Sequence, residues 1–341
     1  MRQVAEDLGV SVTTVSKVLN NQRDIGKTTR ARVLARVAEL GYQPNAVARS
    51  LALRRSHTLG IVIPDLMHSF FVEVIAALES VVHTRGYGLL LCNSEESSRK
   101  ERAELQLLDQ RQVDGVVIAS AGASTNSDVL NGLSRRGVAL VMIDRDDHPD
   151  VICDRVLTDD EEVGRLATAH LAGRGRRAIA HITGPRIVHA MRRTSGYRQA
   201  LREAGLRVHE DWIVLGGFKE ADGYRAMAHL LALKERPDAV FAVNDPAAIG
   251  ALKAVWDAGL RVPEDVAVVG AGDIAHGDLL RVPLTTVAWP RRDVGRRAAA
   301  LLLDRLDANV SEGYRRVVIP PKLVVRASSG SASGSEARVS S

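Results

Sequence analysis

The side chains best suited to chemistry near the start of the chain lie on one short predicted helix. Residues 12–19 are amphipathic, with Val15, Val18 and Leu19 facing inward, and Ser11 before them is a favourable N-cap. The outward positions are short, polar or cationic: Val12, Thr13, Thr14, Ser16, Lys17 and Asn20. Hydroxyl, amide and ammonium groups reach phosphates and base edges in a major groove. The pattern therefore predicts a DNA-reading helix.

Two further helices are predicted to hold this one in place. Residues 2–8 form the first and residues 28–40 the last, each with apolar residues on one face. Gly9 breaks the first helix because glycine readily adopts a positive φ, and Gly41 ends the last. A helix, a glycine-containing turn and a second helix are typical of the helix-turn-helix motif. We therefore predict a three-helix head over residues 1–43.

The positive charge of the chain is concentrated in this region. The whole chain carries a formal net charge of +5. Residues 1–57 hold ten basic and four acidic side chains, a net of +6, so the rest is close to neutral. A basic head on a nearly neutral body is the electrostatic footprint of a nucleic-acid reader.

The body, residues 58–326, alternates short apolar strands with amphipathic helices. Segments such as LGIVIP, YGLLLCN and VALVMID are continuous apolar runs, which favour buried parallel strands. The number of units predicts two doubly wound α/β lobes with a ligand site between them, at the carboxyl ends of their strands. Residues 327–341 are rich in Ser and Gly and are predicted to be a disordered tail.

Composition excludes several classes of protein. The chain has 341 residues, 45% hydrophobic and 26% charged, which is ordinary for a globular protein with real cores. It contains no apolar run of ~18 residues and no secretory signal pattern at its N-terminus. Cys92 and Cys153 are too few for a disulfide framework, and their aliphatic neighbours favour reduced core residues. We expect a cytoplasmic, nucleoid-associated protein with no membrane partner.

Two segments of the head carry a resemblance to a known family. VAEDLGVSVTTVSKVLN and TRARVLARVAELGYQPNAVARSLA resemble the DNA-binding head of the lac-repressor (LacI/GalR) family, and the likeness continues to about Ser328. The resemblance implies a transcriptional repressor that binds a pseudo-palindromic operator as a homodimer or tetramer. No long leucine heptad ends the chain, which disfavours a tetramer formed through the tail.

The resemblance also assigns roles within residues 1–57. Val12, Thr13 and Lys17 match base-reading positions, with Lys17 where Arg is more common, so a bidentate guanine contact becomes a single-point one. The residues matching phosphate or positioning contacts are Ser11, Thr14, Ser16 and Asn20. Residues 44–57 match a hinge helix and linker, in which Asn45, Ala48 and Leu51 contact DNA. Leu51 is the wedge that kinks the duplex in the minor groove.

For the body, the resemblance implies a periplasmic-binding-protein-like domain that dimerises and binds a small-molecule effector. The chain should cross between the lobes near residues 156, 288 and 318. The implied effector-binding residues are Phe70, Phe71, Arg193, Phe218, Asn244, Asp273 and Trp289. The sequence departs from the family pattern at Gly272, where an acid is usual, at Trp289, where Gln is common, and at His68, where Asn is common. An effector with a ring face as well as hydroxyls is therefore predicted.

Two other functions share part of this pattern. GAGDIA at 270–275 fits the G-x-G-x-x-A dinucleotide fingerprint, which would indicate an NAD-dependent enzyme. Its late place in the chain and the absence of a strong following helix pattern argue against it. A transport-type binding protein would share the lobes, but it would need a secretory signal and would lack the basic head. Neither a catalytic motif nor metal-ligand spacing occurs, so we expect no enzyme activity, cofactor or metal.

Overall fold

The computed structural model describes residues 1–19, 24–42, 55–122, 124–307 and 313–330. Four predicted DNA-binding residues lie outside these ranges: Asn20, Asn45, Ala48 and Leu51. So do most of the predicted hinge segment and residues 331–341. The chain divides into two compact units, Met1–His57 and Thr58–Ser341.

The first unit contains the three predicted helices. They are α1 (Arg2–Leu8), α2 (Val12–Leu19) and α3 (Lys27–Glu39). Their shared core includes Val4, Val15, Val18 and Val33, all fully buried. Gly9 has a φ of 64° at the end of α1, so the turn before α2 uses the left-handed conformation that glycine favours. The prediction of a helix-turn-helix is confirmed for the described residues.

The first lobe of the larger unit contains a parallel sheet of six strands. Its strands are β1 (Thr58–Ile63), β2 (Gly88–Asn93), β3 (Gly115–Ile118), β4 (Ala139–Ile143), β5 (Asp154–Thr158) and β11 (Arg316–Ile319). Their spatial order in the sheet is β11-β5-β4-β3-β1-β2. The helices of this lobe are α4 (Ser69–Thr84), α5 (Ser98–Gln110), α6 (Ser127–Arg135) and α11 (Arg291–Leu306). The strands β1, β3 and β4 are almost wholly buried, as their continuous apolar sequence predicts.

The second lobe repeats this architecture with one reversed strand. Its strands are β6 (Ile179–Thr183), β7 (Ile213–Leu215), β8 (Ala239–Ala242), β9 (Ala267–Ala271), β10 (Thr285–Ala288) and β12 (Lys322–Val324). Their spatial order in the sheet is β12-β10-β9-β8-β6-β7. Among the described strands of this lobe, the pairing of β12 with β10 is the antiparallel one. The helices are α7 (Asp160–Gly173), α8 (Val188–Glu203), α9 (Glu220–Leu231) and α10 (Asp245–Asp257), with 3-10 turns at Glu210–Trp212 and Ala327–Ser329.

The chain passes between the lobes three times, as predicted. It crosses after β5, again after β10, and finally between β11 and β12. One apolar cluster includes residues of both lobes, such as Val156 and Val287. No helix in the described ranges is both long and apolar enough to cross a membrane.

The boundary of the predicted tail is wrong. Residues 327–329 were expected to be disordered, but Ser328 and Ser329 are buried in the second lobe. Ser328 Oγ donates to the carbonyl of Val268 at 2.6 Å and accepts from the amide of Thr285 at 2.8 Å. These bonds satisfy polar backbone groups inside the lobe, a role that a Ser-rich composition does not reveal.

Two glycines bring α7 and α8 unusually close. A Cβ on Gly196 would lie 1.9 Å from the Glu161 carbonyl oxygen, and one on Gly164 would lie 2.0 Å from that of Arg193. Only glycine permits this approach. It places Asp160, the first residue of α7, beside Arg193 on α8.

Candidate functional site

The exposed face of α2 carries the described part of the predicted DNA-binding set. Ser11 caps the helix, with the Thr14 amide donating to its Oγ at 3.0 Å. Val12 and Thr13 are exposed, whereas Thr14 and Ser16 are half-buried. Lys17 Nζ lies 2.5 Å from an Asp24 carboxylate oxygen. Since both side chains are exposed, a phosphate or base can compete for this ammonium.

In the larger unit, a cavity of about 210 Å³ lies between the two lobes. Its lining comes from segments that follow the carboxyl ends of strands, including those after β1, β4, β8 and β9. Six of the predicted effector-binding residues line it: Phe70, Phe71, Arg193, Phe218, Asn244 and Trp289. We call this cavity the cleft.

Aromatic side chains form one wall of the cleft. Phe70 and Phe71 lie in the first turn of α4, where His68 Nδ1 accepts from the Phe70 amide at 3.3 Å. The rings of Phe70 and Phe71 meet edge-on at 4.9 Å, and Phe70 lies 6.1 Å from Trp289. Burial lowers the pKa of His68. This wall is therefore apolar and holds a neutral imidazole.

Arg193 enters the cleft from α8 with its charge already paired. Its Nε and Nη2 donate to Asp160 Oδ1 at 2.9 and 2.8 Å, and Nη1 donates to the Val243 carbonyl at 2.7 Å. Its guanidinium carbon lies 5.0 Å from the centre of the Trp289 ring. Burial raises the pKa of the Asp160 carboxyl, and Arg193 opposes that rise.

A second guanidinium, that of Arg145, was not predicted from the sequence. Its two terminal nitrogens donate to the two carboxylate oxygens of Glu96, each at 2.8 Å, and Nη1 also donates to the Ser120 carbonyl. Its guanidinium carbon lies 5.8 Å from the Phe218 ring centre. In the sequence, Arg145 stands in the charged run DRDD, which is typical of a solvated turn, so composition conceals its burial.

Asn244 and Phe218 support each other on the second lobe. Asn244 Oδ1 accepts from the Ala247 amide at 2.9 Å and caps α10, while Nδ2 donates to the Phe218 carbonyl at 2.9 Å. The Phe218 ring stacks on His189 at 5.3 Å. Burial, with Arg145 and Arg193 nearby, lowers the pKa of His189 well below 6.5. Asn244 thus uses one side-chain donor and its side-chain acceptor to hold the Phe218 loop and the start of α10 in place.

The effector contact predicted for Asp273 stays a prediction. Asp273 does not line the cleft; its carboxylate accepts from Arg326 Nη2 at 2.7 Å, and its carbonyl accepts from Arg291. Gly272 lines the cleft in its place, with a φ of 130°. The loop is held by Asp245, whose Oδ2 accepts from the Ile274 amide at 2.7 Å. The turn at Gly272 therefore places the backbone of this loop, and not the Asp273 side chain, at the cleft.

The same loop argues against the dinucleotide fingerprint. After β9 the chain forms turns and then enters β10, so no helix N-terminus follows the glycines. Asp245 Oδ1 lies only 2.2 Å from where a Cβ of Gly270 would be. A buried carboxylate occupies the position where a phosphate would need donors.

Among the described residues, three buried polar atoms of the cleft lining have no hydrogen-bond partner. They are Arg145 Nε, His189 Nδ1 and Trp289 Nε1. Buried polar atoms are normally satisfied, so these three are candidates to bond a ligand. Nothing in the sequence indicates which aromatic nitrogens will have no hydrogen-bond partner.

Comparison with known proteins agrees with this architecture. The family model described as bacterial regulatory proteins, lacI family, matches residues 1–45, and that of a periplasmic binding protein-like domain matches residues 168–329. The repressor PurR of Yersinia pestis (strain Pestoides F) is 38% identical over 335 residues, covering 96% of each chain.

Two solved structures cover nearly the whole chain. The complex of the transcriptional regulator CelR with cellobiose is 32% identical, with a TM-score of 0.74 over 95% of this chain and 98% of that one. The lac repressor dimer bound to operator and the anti-inducer ONPF is 26% identical, with a TM-score of 0.83 over 96% and 98%.

The chain belongs to the lacI family of bacterial regulatory proteins. It is a DNA-binding transcriptional regulator with a helix-turn-helix head and a two-lobed effector domain.

Proposed function

We propose that this protein acts in the cytoplasm as a homodimeric repressor of a pseudo-palindromic operator, controlled by a small molecule bound in the cleft. The observation that carries the proposal is one chain with both an exposed recognition helix, α2, and a cleft lined by both lobes. Because the cleft is lined by both lobes, a ligand stabilises one relative position of the lobes, which is how an effector shifts DNA affinity. Its relatives are transcriptional regulators, and we propose no enzymatic step.

Exposed apolar residues on the first lobe support the dimer. Leu90 and Leu91 lie on β2, the edge strand of the sheet, at 39% and 45% exposure, and Leu107 on the neighbouring α5 is 42% exposed. Edge strands with exposed leucines invite pairing with a second copy. One recognition helix per chain then meets each half of a palindrome.

We propose that the effector is a neutral ring compound with several hydroxyls, such as a glycoside. Both guanidiniums of the cleft are paired with carboxylates, so neither offers a free charge to an anion. Phe70, Phe218 and Trp289 provide apolar ring faces, and the open nitrogens supply hydrogen bonds. CelR has been solved with cellobiose, and a family member from Enterococcus faecium, 29% identical, with ribose, which supports a sugar-like ligand.

A ligand screen on the full chain tests this. Thermal shift identifies which of glycosides, nucleosides, simple hexoses and aromatic compounds stabilise the protein, and titration calorimetry measures their affinity. The same ligand should change binding to a fluorescent operator selected from random DNA. If a simple hexose stabilises the protein better than glycosides, nucleosides and aromatic compounds, the proposed ring face is wrong.

On DNA, we propose that Val12, Thr13 and Lys17 read bases and that Ser11, Thr14 and Ser16 position the helix. Lys17→Ala should relax the selected consensus, whereas Ser16→Ala should weaken all sites alike. Affinity should fall steeply with salt because the basic head displaces counterions. An unchanged consensus for Lys17→Ala would remove that residue from base reading.

The proposal for the hinge segment concerns Asn45, Ala48 and Leu51. Leu51→Ala should weaken operator binding at least tenfold, about 1.4 kcal/mol, and reduce DNA bending in a phasing assay, while the melting temperature stays nearly unchanged. If the variant binds and bends operator like the parent, Leu51 is no wedge.

A further inference from the structure

Glu96 lies on the rim of the cleft, and its carboxylate binds Arg145 in the way that an anionic ligand group would. Its two carboxylate oxygens accept the two terminal nitrogens of Arg145, each at 2.8 Å. This fork-to-fork geometry is the one in which arginine binds a phosphate or a ligand carboxylate. Glu96 therefore fills the place that an anionic group of a ligand would take.

The rim turn presents Glu96 in a fixed position. The Glu96 amide donates to the Pro64 carbonyl at 2.9 Å, and Ser97 next to it caps α5. Glu95 and Glu96 both have positive φ values, 52° and 55°, a conformation that non-glycine residues rarely adopt. Backbone strain of this kind persists where the surrounding structure holds it, and it concentrates at functional sites.

The other charges of the cleft point the same way. Arg193 is neutralised by Asp160, which is 4% exposed and forms part of the interior. Among the lining residues that the structure describes, Asp65, Asp144 and Asp222 add further negative charge, and Lys219 is the one additional cation. An anion would therefore have to displace Glu96 and approach several carboxylates.

We propose that Glu96 is a specificity-determining residue that excludes phosphorylated and other anionic ligands by occupying the guanidinium of Arg145. The inference rests on the proposed function of the cleft as the effector site. It goes beyond that proposal because it assigns the exclusion of anionic ligands to a single side chain, which can be changed by mutation. Glu96 is 39% exposed, whereas Arg145 is 5% exposed, so removing the acid leaves a preorganised cation whose remaining ion pair is the longer 3.8 Å contact of Nε with Asp144.

The test compares Glu96→Gln with Glu95→Gln. Glu95 is the matched control because it lies in the same turn, also has a positive φ, and pairs with Lys100 at 2.8 Å without lining the cleft. Inorganic phosphate and glucose 6-phosphate are titrated into each full-length protein by calorimetry at constant ionic strength. We expect Glu96→Gln to bind both anions at least tenfold more tightly than the parent, and Glu95→Gln to match the parent.

Two results would overturn the proposal. Either Glu96→Gln binds phosphate no more tightly than the parent, or Glu95→Gln gains as much as Glu96→Gln, which would indicate only a general change in charge. A second variant, Glu96→Asp, keeps the negative charge and should gain no anion binding. Adding Arg145→Met to Glu96→Gln should abolish the gain, which places the anion on that guanidinium.

Failure of this inference can be told from failure of the proposed function. If neutral ring compounds stabilise the parent while Glu96→Gln gains no anion binding, the cleft is the effector site and Glu96 is not its filter. If Glu96→Gln gains anion binding but no neutral ring compound binds the parent, the filter stands and the proposed effector class is wrong.

Discussion

Arg145 and Arg193 face the same cleft from opposite lobes, and each lies against an aromatic ring. Arg193 is over Trp289 and Arg145 over Phe218. They differ in their acids. Asp160 comes from the start of α7, directly after a crossover between the lobes, and is buried with its arginine. Glu96 comes from a surface turn and keeps 39% of its side chain exposed.

This difference indicates that the Arg193–Asp160 pair stabilises the fold, whereas the Arg145–Glu96 pair selects the ligand. Arg193 and Asp160 are 5% and 4% exposed, and the glycine-mediated approach of α7 and α8 fixes their geometry. The Arg145–Glu96 pair can exchange its acid at the rim. The two ion pairs therefore differ in the exposure of the acid and not of the arginine, since both guanidiniums are 5% exposed while Glu96 is 39% and Asp160 4% exposed.

The largest predicted effect breaks the buried pair. Asp160→Ala leaves the Arg193 guanidinium buried without its carboxylate, so the free energy of unfolding should fall by about 3–5 kcal/mol. Urea unfolding of the full chain followed by tryptophan fluorescence measures this. The double variant Asp160→Ala/Arg193→Met should recover part of the loss, because it removes the unpaired charge.

Glu96→Gln is the matched comparison for stability. Arg145 is itself only 5% exposed, but the Glu96 side chain is 39% exposed, so water can replace its oxygens there, and Arg145 Nη1 keeps its bond to the Ser120 carbonyl. The unfolding free energy should therefore fall by less than it does for Asp160→Ala. Equal losses for Asp160→Ala and Glu96→Gln would contradict the distinction between the two pairs.

The sequence predicted one of these arginines and missed the other for a physical reason. Arg193 was found because its position matches a family ligand position. Arg145 lies in a run of acids, where charge normally means solvent, and only the long-range contact with Glu96, 49 residues away, shows otherwise. Local patterns do not encode such pairs.

The same limit applies to the fold. The family resemblance implied the three crossovers, and the apolar strands were predictable from hydrophobic periodicity. Strand β5 was not, because Asp154 and Arg155 make it look polar. Asp154 is fully buried, and Arg305, which lies on α11, donates to it at 2.9 Å, so a distant helix supplies the compensation. β10 and α6 were missed as well; β10 begins with Thr285 and Thr286, both buried.

The second prediction concerns His189, the imidazole whose pKa both guanidiniums lower. Burial first, then Arg145 and Arg193, keep it neutral in the folded protein. Since its folded-state pKa lies below 6.5, it contributes stability above pH 6.5 that is lost as the pH falls and the unfolded chain takes up the proton. At pH 5.5 the loss should be about 1.4 kcal/mol.

His189→Phe keeps a ring against Phe218 and cannot titrate, so its stability should fall less between pH 7 and pH 5.5. Chemical denaturation at each pH measures the difference. An unaltered slope for His189→Phe would mean that His189 accepts its proton in the folded state.

The third prediction tests whether Trp289 Nε1, which lies beside Arg193, donates a hydrogen bond to the effector. Trp289→Phe retains a ring against Phe70 and Arg193 but lacks the Nε1 donor, which has no partner among the described residues. A neutral hydrogen bond to the effector is worth about 1 kcal/mol, so affinity should fall roughly fivefold. Calorimetry with the ligand from the screen measures it, and Trp256→Phe in the second lobe should leave affinity unchanged.

The smallest predicted effect concerns Asp273, which the family resemblance placed in the ligand site. Its carboxylate pairs with Arg326 at 2.7 Å, with side-chain exposures of 32% and 20%, and it does not line the cleft. The loop itself is held by Asp245 and by the Asp273 carbonyl, which accepts from Arg291. Asp273→Asn retains that carbonyl, so effector affinity should change less than twofold and stability by less than about 1 kcal/mol. Arg326→Met should behave alike, because it removes the same partly exposed pair. A loss of effector affinity beyond tenfold for Asp273→Asn, with no loss for Arg326→Met, would mean that Asp273 turns into the cleft when ligand binds.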